Sequence, residues 1–281
     1  MNHSGSNKGA VKIFPYLFLS GIAMLSSCTK ECEKEDKSSD YCSMVITQED
    51  GPTPGTRYVQ VTDSTYSNFF EADQMGALNT WDFSKLKNHR EEDLSFDAAL
   101  AGFPSSGLTL NGVVAFSNRE AGLEIDGYQG AHSDLDLTVR YDDPMTYLPY
   151  SLCMKEGYKD SYSAYSSVLP EKYSLSTDSM RIHFAGINNF LVIGSGIIIL
   201  PGGSFKCIKY EVTPISFEGE VEAYVDGKWQ FYNKLTDDEV KQQITAYQSA
   251  TYVWVSKDKK FPLCSMTMDD NRKISSVTYL K

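Results

Sequence analysis

The sequence predicts an all-β, mostly antiparallel body, arranged as a sandwich or an open curved barrel, with one short packed helix near 237–248. Three observations carry this prediction. Apolar and polar residues alternate with a period of two in many short stretches, as the two faces of a strand require. Turn dipeptides and Pro-Gly clusters separate those stretches at short intervals. The 18 Tyr and 14 Phe also favour strands, because flat rings pack well on a pleated surface.

The first residues read as an address rather than as fold. Lys8 and Lys12 give a short positive region, and residues 13–25 form an apolar run interrupted by Pro15 and Gly21. That run is too short and too broken for a dedicated membrane span. Leu25-Ser26-Ser27-Cys28 closes it. An aliphatic residue, two small residues and a cysteine resemble the lipobox of bacterial lipoproteins. The resemblance implies a signal peptide over 1–27, cleavage before Cys28, and a lipid anchor on the Cys28 thiol. Removing 1–27 leaves 24 basic against 37 acidic residues, a net charge of −13. Residues 28–56 read as a charged flexible tether, since Thr29 to Asp40 carry charge without apolar periodicity. Gly51-Pro52-Thr53-Pro54-Gly55 punctuates its end, and 57–281 reads as a single β-rich domain.

Within that domain, Leu135, Leu137, Val139 and Tyr141 share one strand face, and Asp134, Asp136, Thr138 and Arg140 the other. Residues 221–232 read as a hairpin with Asp226-Gly227 at its tip, where both central positions need positive φ. Asp126-Gly127 is expected to form a second such turn. Residues 190–200 read as two buried strands divided by Gly194-Ser195-Gly196. Leu200-Pro201-Gly202-Gly203-Ser204 divides the next pair, and 274–280 is the final strand. Thr236-Asp237-Asp238-Glu239 has capping-box spacing, and Val240, Ile244 and Tyr247 follow on one helical face. That is the expected helix.

Setting Cys28 aside leaves Cys32, Cys42, Cys153, Cys207 and Cys264, an odd set whose disulfide pairing spacing cannot assign. Cys207 and Cys264 lie in strand-like settings, where cysteine serves as a small buried hydrophobe. No C-x-x-C pair occurs, so no zinc site is expected.

Several stretches together resemble a group of secreted proteins and lipoproteins of Bacteroidota that has no established activity. Gly76-Ala77-Leu78-Asn79-Thr80-Trp81-Asp82-Phe83-Ser84 is similar to its G-A-N-Q-T-W-D-F-S segment, departing at Leu78 and Asn79. Residues 148–152 and 158–162, the 194–205 hairpin, 251–256 and 260–263 follow in the family's order. The resemblance implies an exported β domain at the outer membrane, and it brings no catalytic residues. The lysine and acidic residues just after Cys28 resemble the signal that carries such lipoproteins to the cell surface.

Chemistry is sparse. A net charge of −11 excludes a phosphate-backbone binder, which needs a basic footprint. No H-E-x-x-H, G-x-S-x-G or Walker-type loop occurs. His89, His132 and His183 stand in unrelated settings. His132, Asp134 and Asp136 alternate on one face with Asp142 and Asp143 beyond, yet the solvent side of a strand explains them without a cation. Asp269-Asp270-Asn271 reads as a turn. Trp81, Trp229 and Trp254, with Tyr158, Tyr162, Tyr165 and Tyr173, could offer a platform for sugar rings; Trp81 and Trp254 read as core. The expected function is therefore a non-enzymatic lipoprotein, ligand-binding or structural, without cofactor, metal or catalytic residues. Its one assigned contact is with the membrane through Cys28, and a glycan or protein partner is open. The alternatives are a glycan-acting hydrolase with paired carboxylates and an adhesin- or filament-type subunit.

Overall fold

Among the described residues, alternating stretches become fourteen strands of one sheet. The structure, a computed structural model, describes residues 44–98, 107–132, 135–168, 179–234, 250–269 and 271–281. The first strands are β1 (Arg57–Asp63), β2 (Gly76–Asp82), β3 (Arg90–Ala98), β4 (Leu108–Leu110) and β5 (Val114–Asn118). Next come β6 (Gly122–His132), β7 (Leu135–Pro149), β8 (Gly157–Val168), β9 (Met180–Leu200) and β10 (Gly203–Val225). The last are β11 (Lys228–Lys234), β12 (Thr251–Ser256), β13 (Lys259–Met268) and β14 (Ile274–Leu280). A single helical turn, α1 (Phe69–Ala72), precedes β2.

The sheet closes on itself. From β10 the pairing runs through β12, β13, β14, β1, β3, β4, β5, β6, β7, β8 and β9, and β9 pairs back to β10, giving a twelve-strand antiparallel barrel. Closure leaves no edge on those twelve strands, the usual solution to the edge problem. Of the two arrangements expected, the barrel is the one formed. The remaining two strands are additions: β11 pairs with the end of β10, and β2 runs parallel to the last part of β9.

Side chains fill the barrel. Tyr147 on β7 stacks on Phe261 of β13 at 5.5 Å, although these strands stand on opposite sides of the ring. Phe96 and Phe116 contact the same pair of rings. Tyr210 on β10 donates its hydroxyl to the Pro149 carbonyl at 3.1 Å, again between strands that are not neighbours. A second apolar layer lies outside the wall. There Trp81, Phe83, Leu86 and Ala72 cover Tyr252, Trp254, Cys264, Met266 and Val277. Trp81 and Trp254 are both fully buried, as core residues should be.

Three expectations need correction. Gly194-Ser195-Gly196 does not divide two strands; β9 runs through it for 21 residues. The glycines serve close approach instead, because a Cβ on Gly196 would lie 2.0 Å from the Asn79 carbonyl oxygen of β2. Asp126-Gly127 is not a turn either, since β6 continues through it with a bulge against both neighbours. Asp226-Gly227 does make its turn, with φ of 51° and 79°. The tether gives way to fold well before residue 57: Ile46 is buried in the barrel core, and Gln48 and Asn118 exchange hydrogen bonds. Cys28, the rest of 28–43, the helix expected over 237–248 and Tyr173 lie outside the described residues. Cys153 is disulfide-bonded, whereas Cys207 and Cys264 are free and buried.

Candidate functional site

Where β8 ends, β2 takes its place beside β9, and that exchange builds the candidate site. β8 pairs with β9 only as far as Leu191; β2 takes over from Gly194. In this extension Thr80, Ile197 and Lys206 stand side by side across β2, β9 and β10. Asn79, Gly196 and Cys207 form the next row. These residues, with Met44, Leu78 and Ser195, line a cavity of about 360 Å³. That is within the usual size range of small-molecule pockets.

The pocket's backbone is shaped by strain. Leu78 has φ of 61°, a left-handed conformation that costs a leucine free energy. It sits at a register shift between Gly76 and Asn79, and its side chain is 82% exposed. The carboxamide of Asn79 donates to the Gly76 carbonyl at 2.6 Å and holds the bulge. Ile197 is also exposed. The walls are thus mainly apolar, with hydroxyls from Thr80 and Ser195 and one charge, the exposed ammonium of Lys206. Cys207 is no nucleophile there, since burial pushes its thiol up to about 12.

Beneath this extension the outer layer buries a lysine that sequence reasoning missed. Lys209 on β10 is fully buried. Its ammonium donates to the carbonyl of Ala72 at the end of α1 and to that of Gln74 at 3.3 Å. The Nζ also lies 3.7 Å from the Tyr252 ring centroid and 5.2 Å from that of Trp254. Tyr252 donates its hydroxyl to Asp73 at 2.6 Å. Trp81 Nε1 donates to the same Gln74 carbonyl at 3.2 Å. Lys209 and Trp81 therefore pin the segment that leads into β2. Burial lowers the Lys209 pKa to about 7, against the opposing pull of Asp73 and Glu211. A strand-embedded Lys between Ile208 and Tyr210 was the available signal, but alternation alone cannot tell a buried lysine from a solvated one.

Among the described residues, the other sequence candidates do not converge; Asp134 lies outside them. His89 approaches Asp63 at 3.3 Å and the Ser64 hydroxyl at 3.5 Å, both through Nδ1. A nucleophile relay needs the two ring nitrogens divided between acid and serine, so this is no triad. Asp63 instead fastens a loop. Burial raises its pKa, but the backbone N–H groups of Lys87 and Thr65 and the Thr65 hydroxyl outweigh that and lower it. His183 faces Glu220 at 3.8 Å.

Two further buried carboxylates, Asp126 and Asp160, serve the wall. Asp160 accepts the backbone N–H and hydroxyl of Thr146, both at 2.8 Å, where the β7–β8 ladder has ended. Asp126 accepts the Ser117 hydroxyl at 2.6 Å and has Arg119 at 3.8 Å. Burial raises the pKa of both, and of Glu124 beside Arg119. Among the described residues no group of three or more His, Cys, Asp or Glu could hold a metal ion. Asp269 accepts from the backbone of Asn271 and Lys273, as a turn residue does.

The aromatic candidates scatter. Tyr162 is buried in the barrel, and Tyr158 packs on Phe190. Among the described candidates, only Tyr165 and Trp229 share a surface, with Arg181 over both rings at 5.4 and 4.4 Å. Arg181 is paired with Glu222 at 2.5 Å.

No protein-family model matches the chain, and no curated protein does. Among solved structures, a candidate exported protein of Bacteroides fragilis with a YmcC-like fold is similar, at 10% identity and a TM-score of 0.25. The alignment covers 81% of this chain and 96% of that one.

Proposed function

We propose that this protein is an outer-membrane lipoprotein, anchored through Cys28, whose barrel is a non-enzymatic binding module. The charged stretch after Cys28 favours the cell surface over the periplasmic face. One observation carries the reading of the body. The barrel's interior is occupied by rings that meet from opposite walls, while a cavity of ligand size opens where β2 replaces β8. Binding therefore belongs at the barrel's end rather than in its lumen. The buried acids are committed to holding strands, which speaks against the hydrolase.

A second reading has its own support. Tyr224, Trp229, Phe231 and Tyr232 are all more than a third exposed on the β10–β11 hairpin, and exposed apolar groups that cluster are a mark of contact surfaces. An adhesin-type role would use that hairpin.

The anchor is tested by metabolic labelling with a fatty-acid analogue. Cys28→Ala is expected to abolish the label, because the acceptor thiol is gone. Undiminished label on the variant would reject the anchor. Release of reducing sugar from glycans by the purified chain would favour the hydrolase instead.

A further inference from the structure

Resting on the reading of the barrel's end as a binding site, we propose that the pocket takes a small amphiphile bearing one negative charge, such as a short-chain carboxylate. The wall supplies what such a molecule needs. Leu78, Ile197 and Met44 give apolar contact. Leu78 and Ile197 are 82% and 41% exposed without a ligand, so covering them gains hydrophobic free energy. Thr80 and Ser195 add hydroxyls, and Lys206 adds the lining's one charge.

Three features make this specific rather than a greasy dent. The row Thr80–Ile197–Lys206 crosses three paired strands, so the backbone positions that carry the cation, an apolar side chain and a hydroxyl are fixed relative to one another. Rigid elements hold such constellations better than loops do. The bulge that presents Leu78 is strained, with its φ of 61°, and the Asn79–Gly76 hydrogen bond maintains it. Strain held in place by a dedicated contact is what functional positions often show. Finally, the chain carries 37 acidic residues against 26 basic ones. A pocket whose charge is positive therefore runs against the sign of the whole protein, and it selects anions over cations of the same size.

The experiment is equilibrium dialysis of octanoate, octanol and octylammonium against the full chain in phosphatidylcholine nanodiscs, with empty nanodiscs subtracted. Octanoate is expected to bind at least about tenfold more tightly than octanol, and octylammonium least. Lys206→Met should erase the preference for octanoate over octanol without unfolding the protein, since Lys206 is exposed. Ser195→Phe should fill the cavity and weaken both. Dihexanoyl phosphatidylglycerol, offered beside octanoate, separates a lipid headgroup from a free acid: the tighter of the two names the source. Equal binding of octanoate and octanol by the parent, or octanoate binding indifferent to Lys206→Met, overturns the anionic class while the pocket stands. Absence of binding by all four probes overturns both readings.

Discussion

The barrel's lumen and the layer outside its wall are both buried, yet they are built differently. The lumen is closed by apolar and aromatic side chains, with Phe96, Phe116, Tyr147 and Phe261 in mutual contact. The outer layer is equally aromatic around Trp81, Phe83 and Trp254, but it also encloses the ammonium of Lys209. Apolar packing is indifferent to pH, whereas a buried amine is not. The lumen supplies stability, while the outer layer positions β2, and with it the pocket, through contacts that respond to protonation.

The largest effect is expected from hollowing out the lumen. Phe261→Ala removes a ring that touches both Phe96 and Tyr147, and should cost about 3–5 kcal/mol. Urea unfolding followed by circular dichroism measures it, and an unmoved midpoint would deny the lumen its role.

Next comes the attachment of β2. Gly196→Ala places a Cβ 2.0 Å from the Asn79 carbonyl, a backbone clash that should cost about 1–3 kcal/mol. The loss should appear as faster amide exchange over 76–82 while the lumen-facing strands keep their protection. Uniform loss of protection would mean that the two layers unfold as one.

The pH response sharpens the contrast further. Lys209 titrates near 7 when folded, below the ordinary 10.5. Between those values the unfolded chain holds the extra proton, so stability contributed by this group rises with pH. It is fully present above about 10.5 and is lost as pH falls through about 7. The parent should gain up to about 1.4 kcal/mol per pH unit from this site within that window. Lys209→Met should remove that part of the slope, as urea midpoints at pH 6, 8 and 9.5 would reveal. A variant with the parent's slope would place the titration elsewhere.

The smallest effect belongs to the hairpin. Phe231 is 58% exposed, so Phe231→Ser should alter stability by no more than about 0.5 kcal/mol. A larger loss would mean that the hairpin's outer face is structural rather than free for contact.

Much of the fold was legible because strand alternation is a local property. Residues 274–280 became β14, and the Asp226-Gly227 tip turned as its chemistry demands. The pocket was not legible. Its wall joins Met44, β2, β9 and β10; the turn at Pro201-Gly202 brings Lys206 beside Ile197, but nothing in a linear reading brings Leu78 or Met44 beside them. Nor could alternation reveal Leu78's positive φ, since the G-A-N-Q-T-W-D-F-S-like segment marks its neighbourhood without stating its conformation.

Strand composition, the turn at Asp226-Gly227 and the burial of Trp81 and Trp254 follow from local sequence, because each depends on side-chain type and spacing over a few residues. Tertiary structure decided what those signals meant where two chemistries compete. The same Asp-Gly pair is a turn at 226–227 but a bulge at 126–127, because β5 and β7 flank the second on both sides. Gly194 and Gly196 punctuate nothing, because β2 lies against them and only a glycine leaves that space. Lys209 is buried rather than solvated because α1 and the residues leading into β2 supply carbonyls above it and aromatic rings stand beside it. Those partners come from distant parts of the chain, so their effect exists only once the barrel has closed.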